Sequence, residues 1–266
     1  MPEVRRILLH PGFHKTGTSS IQHLLWTNRA RLAPQVGLVM LRQLKPAVKI
    51  CAGFSKTRNP LALVDLAGAL QPAFAGADTP DLLISCEGLA GHLPGWPGVA
   101  DYGAAPFSVA YVCGYLAERF PGARMRVALT TRDAEAWLYS AWRHHLSGHR
   151  LTLGRDAFAA RFVGSADLAT AAQDIAAAVD CPVMSLRLED MQSHPKGPGG
   201  ALLDLLGLPA DITDRILPVG HGNAGPGADL AERFLALNRS ALTDAEVAEK
   251  KRALAGAAHL GGWVRV

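Results

Sequence analysis

The chain has 266 residues, 49% of them hydrophobic and 19% charged, enough apolar surface to bury a full core and too little charge for a disordered chain. Twenty-seven Lys and Arg against 23 Asp and Glu leave a net charge of +4, which argues against a nucleic-acid partner and suits a small polyanionic ligand. The four cysteines, Cys51, Cys86, Cys113 and Cys181, are isolated in sequence, so neither a disulfide framework nor a metal site is expected.

Near the start only Ile7, Leu8 and Leu9 form an apolar run, too short for an export signal. No stretch approaches the roughly 20 residues of a bilayer span, so the sequence predicts a cytoplasmic protein with no membrane span. Short apolar runs alternating with amphipathic stretches predict βα units around a parallel sheet. In chain order they are a strand at 4–10, a helix at 18–32 with Ile21, Leu24, Leu25 and Leu32 on one face, and a short strand at 38–41. A strand at 82–85, a helix at 107–119, a strand at 125–130 and helices at 134–146 and 168–179 follow, then a strand at 183–188. Beyond residue 199 the pattern is helical only, at 201–206, 211–216, 227–239 and 244–257, and these helices are expected to pack against the sheet. Pro and Gly clusters predict loops at 94–98, 194–200 and 218–227. The whole, residues 1–266, reads as one α/β domain with three layers, α/β/α, a central parallel sheet and a helical C-terminal third.

The richest segment is His10-Pro11-Gly12-Phe13-His14-Lys15-Thr16-Gly17-Thr18-Ser19-Ser20, between the first strand and its helix. Free N–H groups at a helix start, glycines that allow close approach, a Lys and several hydroxyls make an anion site there. The plainer reading is a tight turn shaped by Gly12 and Gly17, with Thr18 to Ser20 capping the helix. An ATP-binding P-loop, GxxxxGK followed by Ser or Thr, fails here, because aligning Gly12 and Gly17 puts Thr18 where the Lys belongs.

The second segment follows the strand at 125–130: Thr131-Arg132-Asp133, then Ala-Glu-Ala-Trp-Leu-Tyr-Ser-Ala-Trp. Asp133 is a natural N-cap. Asp133, Trp137, Ser140 and His144 share one helix face. Ser140 rises about 10 Å above the strand end, a gap that Arg132 and an intervening phosphate can close. Read singly, Arg132 is a flanking surface charge and Ser140 a small residue in a helix contact, while Trp137, Trp142, His144 and His145 read as core packing with a basic edge.

Together, Lys15-Thr16-Gly17-Thr18-Ser19 and the Arg132/Ser140 pair resemble the 5′-phosphosulfate loop and 3′-phosphate signature of sulfotransferases that use 3′-phosphoadenosine 5′-phosphosulfate (PAPS). Later segments also resemble this superfamily, particularly its carbohydrate-type and bacterial branches: Leu186 to Asp190 before Leu205-Leu206-Gly207-Leu208, and His221-Gly222-Asn223-Ala224. Ser20 and Ile21 stand where many cytosolic members carry an adenine-stacking Trp. The resemblance implies a P-loop NTPase-like sulfotransferase fold, with His14, Lys15, Thr16, Gly17, Thr18, Ser19, Arg132 and Ser140 on the nucleotide. It further implies PAPS as co-substrate, its desulfonated product PAP, and no metal.

Sulfuryl transfer needs a base for the acceptor and positive charge on the leaving phosphate. Lys15 suits the second task. For the base, the strand at 82–85 delivers Glu87 to the carboxyl edge of the sheet, where open α/β folds bind ligands, and its placement resembles the family's Glu base. His92 is the second candidate, since imidazole titrates near neutrality. As plain structure, Glu87 caps a turn and His92 is a loop histidine. The acceptor, a carbohydrate, lipid or small metabolite, would sit among segments 42–78, 93–106 and 148–166. Two other functions remain open: a P-loop small-molecule kinase, opposed by Thr18 and by Ser85-Cys86 where a metal-holding Asp belongs, and a non-catalytic nucleotide-binding module.

Overall fold

The structure, a computed structural model, describes residues 4–33, 35–219 and 227–257. Its strands are β1 (Arg6–His10), β2 (Val36–Met40), β3 (Asp81–Ser85), β4 (Arg124–Thr131) and β5 (Val183–Arg187). All pair in parallel, in the order β2-β3-β1-β4-β5. The helices are α1 (Thr18–Thr27), α2 (Arg29–Leu32), α3 (Leu41–Thr57), α4 (Leu66–Leu70), α5 (Ala105–Arg119), α6 (Ala134–Gly148) and α7 (Arg155–Phe162). They continue as α8 (Leu168–Ala178), α9 (Leu188–Met191), α10 (Pro198–Asp204), α11 (Ala210–Thr213), α12 (Ala228–Arg239) and α13 (Asp244–Ala257).

The central strands β1 and β3 carry unbroken apolar runs because both faces of the sheet are covered there. Ile7, Leu9, Leu82, Ile84, Val127 and Leu129 point to one core with α5 and α8. Leu8, Leu83 and Ala128 point to the other, with α1 and α10. The connection after β1 leads through α1 toward β2, whereas the connection after β4 leads toward β5 on the other side. The loops leaving β1 and β4 therefore diverge, and a crevice opens between their carboxyl ends, as at the switch point of any open parallel sheet.

Several elements depart from the sequence reading. The helix expected at 18–32 breaks at Asn28, whose buried side-chain amide donates to Leu24 O (3.0 Å) and Leu217 O (2.9 Å) while its oxygen accepts from Leu217 N (2.8 Å). Segment 42–78 is largely helical: α3 runs for 17 residues through Pro46, followed by α4 and two 3₁₀ turns. Segment 148–166 holds α7 and a 3₁₀ turn. The loop expected at 194–200 ends in the first turn of α10. Of the C-terminal helices, α10 and α11 cover the sheet, but α12 packs on α6 and α13 on α12. His221-Gly222-Asn223-Ala224 lies outside the described residues. Among them, no helix is long and apolar enough to cross a membrane.

Candidate functional site

The loop after β1 is wound by three left-handed residues, Gly12 (φ +60°), Lys15 (φ +69°) and Gly17 (φ +93°). A Cβ on Gly12 would stand 3.2 Å from Glu87 Cβ, and one on Gly17 2.6 Å from Leu188 Cδ1, so glycine lets the loop pass between the ends of β3 and β5. Lys15 takes this conformation with a side chain, at a cost of about 1–2 kcal/mol. Gly17 is the N-cap of α1, and no hydroxyl caps the helix, so Thr18 to Ser20 do not serve as caps. Gly17 O accepts from Ser20 N (3.0 Å) and Ile21 N (3.1 Å). The N–H groups of Thr18 and Ser19 precede this first closed turn and point out of the helix, the arrangement that receives an anion.

Beneath the loop runs a buried polar chain. Ser85 Oγ lies 2.9 Å from His10 Nδ1, His10 Nε2 3.3 Å from Thr130 Oγ1, Thr130 Oγ1 2.6 Å from Thr16 Oγ1, and Thr16 Oγ1 donates to Phe13 O at 2.5 Å. All four bonds are satisfied in one direction when His10 is neutral and carries its proton on Nε2. Burial pushes His10 down to about 4, which keeps it in that form. The Thr16 hydroxyl is thus committed inward, tying the loop to the ends of β1, β3 and β4.

Three further bonds hold the loop backbone. Tyr102 Oη accepts from His14 N (3.0 Å), Trp137 Nε1 donates to His14 O (2.9 Å) and Arg132 Nη1 donates to Lys15 O (3.1 Å). Trp137, read from sequence as core, is fully buried and also positions the loop. Asp133 caps α6 by accepting from Ala136 N (2.9 Å), and Glu189 Oε1 accepts from Asp133 N (3.0 Å).

The charges interact across the crevice. Burial holds the Lys15 ammonium below its ordinary range; Glu87 opposes that shift, and Arg143 and Arg132 reinforce it. Burial likewise lowers Arg132, opposed by Glu189 and reinforced by Arg143. Lys15, Arg132 and Arg143 therefore form one cationic group, with Glu87, Glu189 and Asp133 around it. Gln22 Nε2 donates to Glu87 Oε2 (2.9 Å) and orients the carboxylate. Burial, then His92 and Lys15, push His14 down to about 3, so it acts as a neutral ring.

The candidates converge unevenly. His14, Lys15, Thr16, Gly17 and Thr18 form the loop; Arg132 reaches it directly; Glu87 starts a 3₁₀ turn at its flank. Ser19 is exposed on the first turn of α1, and Ser140 is buried in α6. His92 stacks on His14 (6.2 Å between centroids) and lies tilted against Trp96 (4.6 Å), and among the described residues its buried Nδ1 has no hydrogen-bond partner. Burial lowers its pKa. Gln22, Tyr102 and Arg143 were not singled out by the sequence; the only signal for Arg143 was its place one turn beyond Ser140. Segments 42–78, 93–106 and 148–166 meet around a cavity of about 620 Å³ lined by Lys56, Arg58, Asp101, Tyr102, Ser165 and, from α8, Asp174. Among the described residues no group of three or more His, Cys, Asp or Glu is arranged to hold a metal ion.

The chain matches no known protein-family profile and no curated protein.

Proposed function

We propose that the chain is a PAPS-dependent sulfotransferase of P-loop NTPase-like fold, moving a sulfuryl group to a hydroxyl or amine of a carbohydrate, lipid or small metabolite. The observation that carries this reading is the joining of the two phosphate motifs: the Arg132 guanidinium bonds the Lys15 carbonyl across the crevice between β1 and β4. The reading of a donor with two phosphate groups is supported by the left-handed turns at Gly12, Lys15 and Gly17, which open backbone N–H groups, and by the gathering of Lys15, Arg132 and Arg143 beside them. PAPS supplies the sulfuryl group.

Lys15, Thr18 and Ser19 hold the 5′ end in this reading, and Arg132 with the Ser140 hydroxyl the 3′-phosphate. Lys15 stabilises negative charge on the leaving phosphate oxygen. Glu87, held by Gln22 and within electrostatic reach of Lys15, takes the acceptor proton. His92 is the weaker base, because burial disfavours its protonated form. The polar cavity beside Tyr102 receives the acceptor.

The test is transfer of labelled sulfuryl from PAPS across a panel of hydroxyl and amine acceptors. Turnover is expected in the wild type and lost in Lys15→Ala. Magnesium-dependent ATP binding with no turnover of PAPS would replace this function with a kinase.

A further inference from the structure

At the opposite end of the sheet, where β1 and β4 begin, lies a second cavity of about 860 Å³. Arg6, Arg124 and Arg126 line it, together with Cys113 and Cys181. The two cysteines are 68 positions apart, by subtraction of 113 from 181, yet the fold brings them together: Cys113 is on α5, and Cys181 is in the turn from α8 into β5, packed on the core cluster that contains Cys113. Each thiol is the largest influence on the other's titration, raising Cys113 and lowering Cys181, while burial and the neighbouring Asp180 oppose the lowering. Cys181 is partly exposed in the cavity, whereas Cys113 is buried behind it. Cys51 and Cys86 are also buried, and desolvation pushes Cys51 up to about 12 and Cys86 further. A partly exposed sulfur and a second, buried thiol lining one cavity, which three guanidinium groups also line, is the arrangement of a peroxide-sensitive dithiol.

We propose that Cys181 and Cys113 form an oxidation site that reacts with hydroperoxides to give a disulfide joining α5 to the turn before β5. The Cys181 thiolate attacks the terminal peroxide oxygen; the O–O bond breaks, the leaving oxygen takes a proton to become water or an alcohol, and Cys181 becomes a sulfenic acid. The Cys113 sulfur then attacks the Cys181 sulfur, the S–O bond breaks, and water departs with the Cys113 proton. One peroxide is reduced by two electrons and two thiols become one disulfide. The site is independent of the nucleotide crevice.

The full-length chain, reduced and freed of reductant, is treated with hydrogen peroxide, denatured, and its thiols are titrated and mapped by mass spectrometry. The expected result is loss of two of the four thiols, a Cys113–Cys181 cross-linked peptide, and full recovery with dithiothreitol. Cys113→Ser should instead accumulate a sulfenic acid on Cys181 that dimedone traps. Retention of all four thiols in the wild type, a cross-link through Cys51 or Cys86, or no dimedone adduct on Cys181 in Cys113→Ser would overturn the proposal.

Discussion

Glu87 and Lys15 divide the proposed chemistry between an acid–base group and an electrostatic one, and their variants should separate accordingly. Removing a positioned base costs about 10²–10⁴ in rate. Glu87→Gln keeps the shape and the Gln22 contact, so it should lose at least a hundredfold in turnover while PAP affinity holds or rises with loss of the negative charge beside Lys15. Equal loss of binding and turnover would instead make Glu87 a structural residue. Gly17 offers a second test at this scale. At φ +93° with a Cβ only 2.6 Å from Leu188 Cδ1, Gly17→Ala combines backbone strain with a clash and should destabilise the fold by about 1–3 kcal/mol, read by chemical denaturation. A wild-type midpoint would show that the loop relaxes freely.

Among the elements, the sheet was legible in sequence because strands covered on both faces keep continuous apolar runs, and the order strand, loop, helix around Lys15 and Arg132 could be read directly. Strand ends shifted by one or two residues, since pairing rather than propensity sets them. The helix α3 was missed through Pro46, although Leu44, Ala47, Cys51 and Phe54, all buried, repeat at helical spacing. The break at Asn28 had no local signal, because its partner Leu217 is 189 residues away. That link gives a prediction: Asn28→Ala leaves the Leu217 N–H and C=O without their partner and should cost about 1–3 kcal/mol, measured by urea denaturation, with PAP binding at saturation preserved. In the candidate site, Lys15, Arg132 and Glu87 stand in recognisable local patterns. Gln22, Tyr102 and Arg143 do not, because only the packing of α1, the turn before α5, and α6 around the crevice gives them a role.

Across the whole molecule, neutral buried histidines couple stability to pH. His10 and His145 are fully buried, and burial places both at about 4, against about 6.5 in an unfolded chain. Below pH 6.5 the unfolded chain takes up protons that the folded chain refuses, so this contribution is complete above that pH and is lost as pH falls toward 4. At about 1.4 kcal/mol per unit for each group, these two histidines should lower the unfolding free energy by roughly 3–4 kcal/mol between pH 7 and 5, with His14 and His144, both pushed down to about 3, lowering it further, and a flat profile would contradict the neutral His10 chain under the loop. The larger claim is that the two strand ends carry one bisphosphate site. Isothermal titration of the wild type and Arg132→Ala with PAP tests it most directly: the account predicts saturable binding to the wild type that weakens at least tenfold in the variant, whereas no binding to the wild type, or equal binding to both, would contradict it.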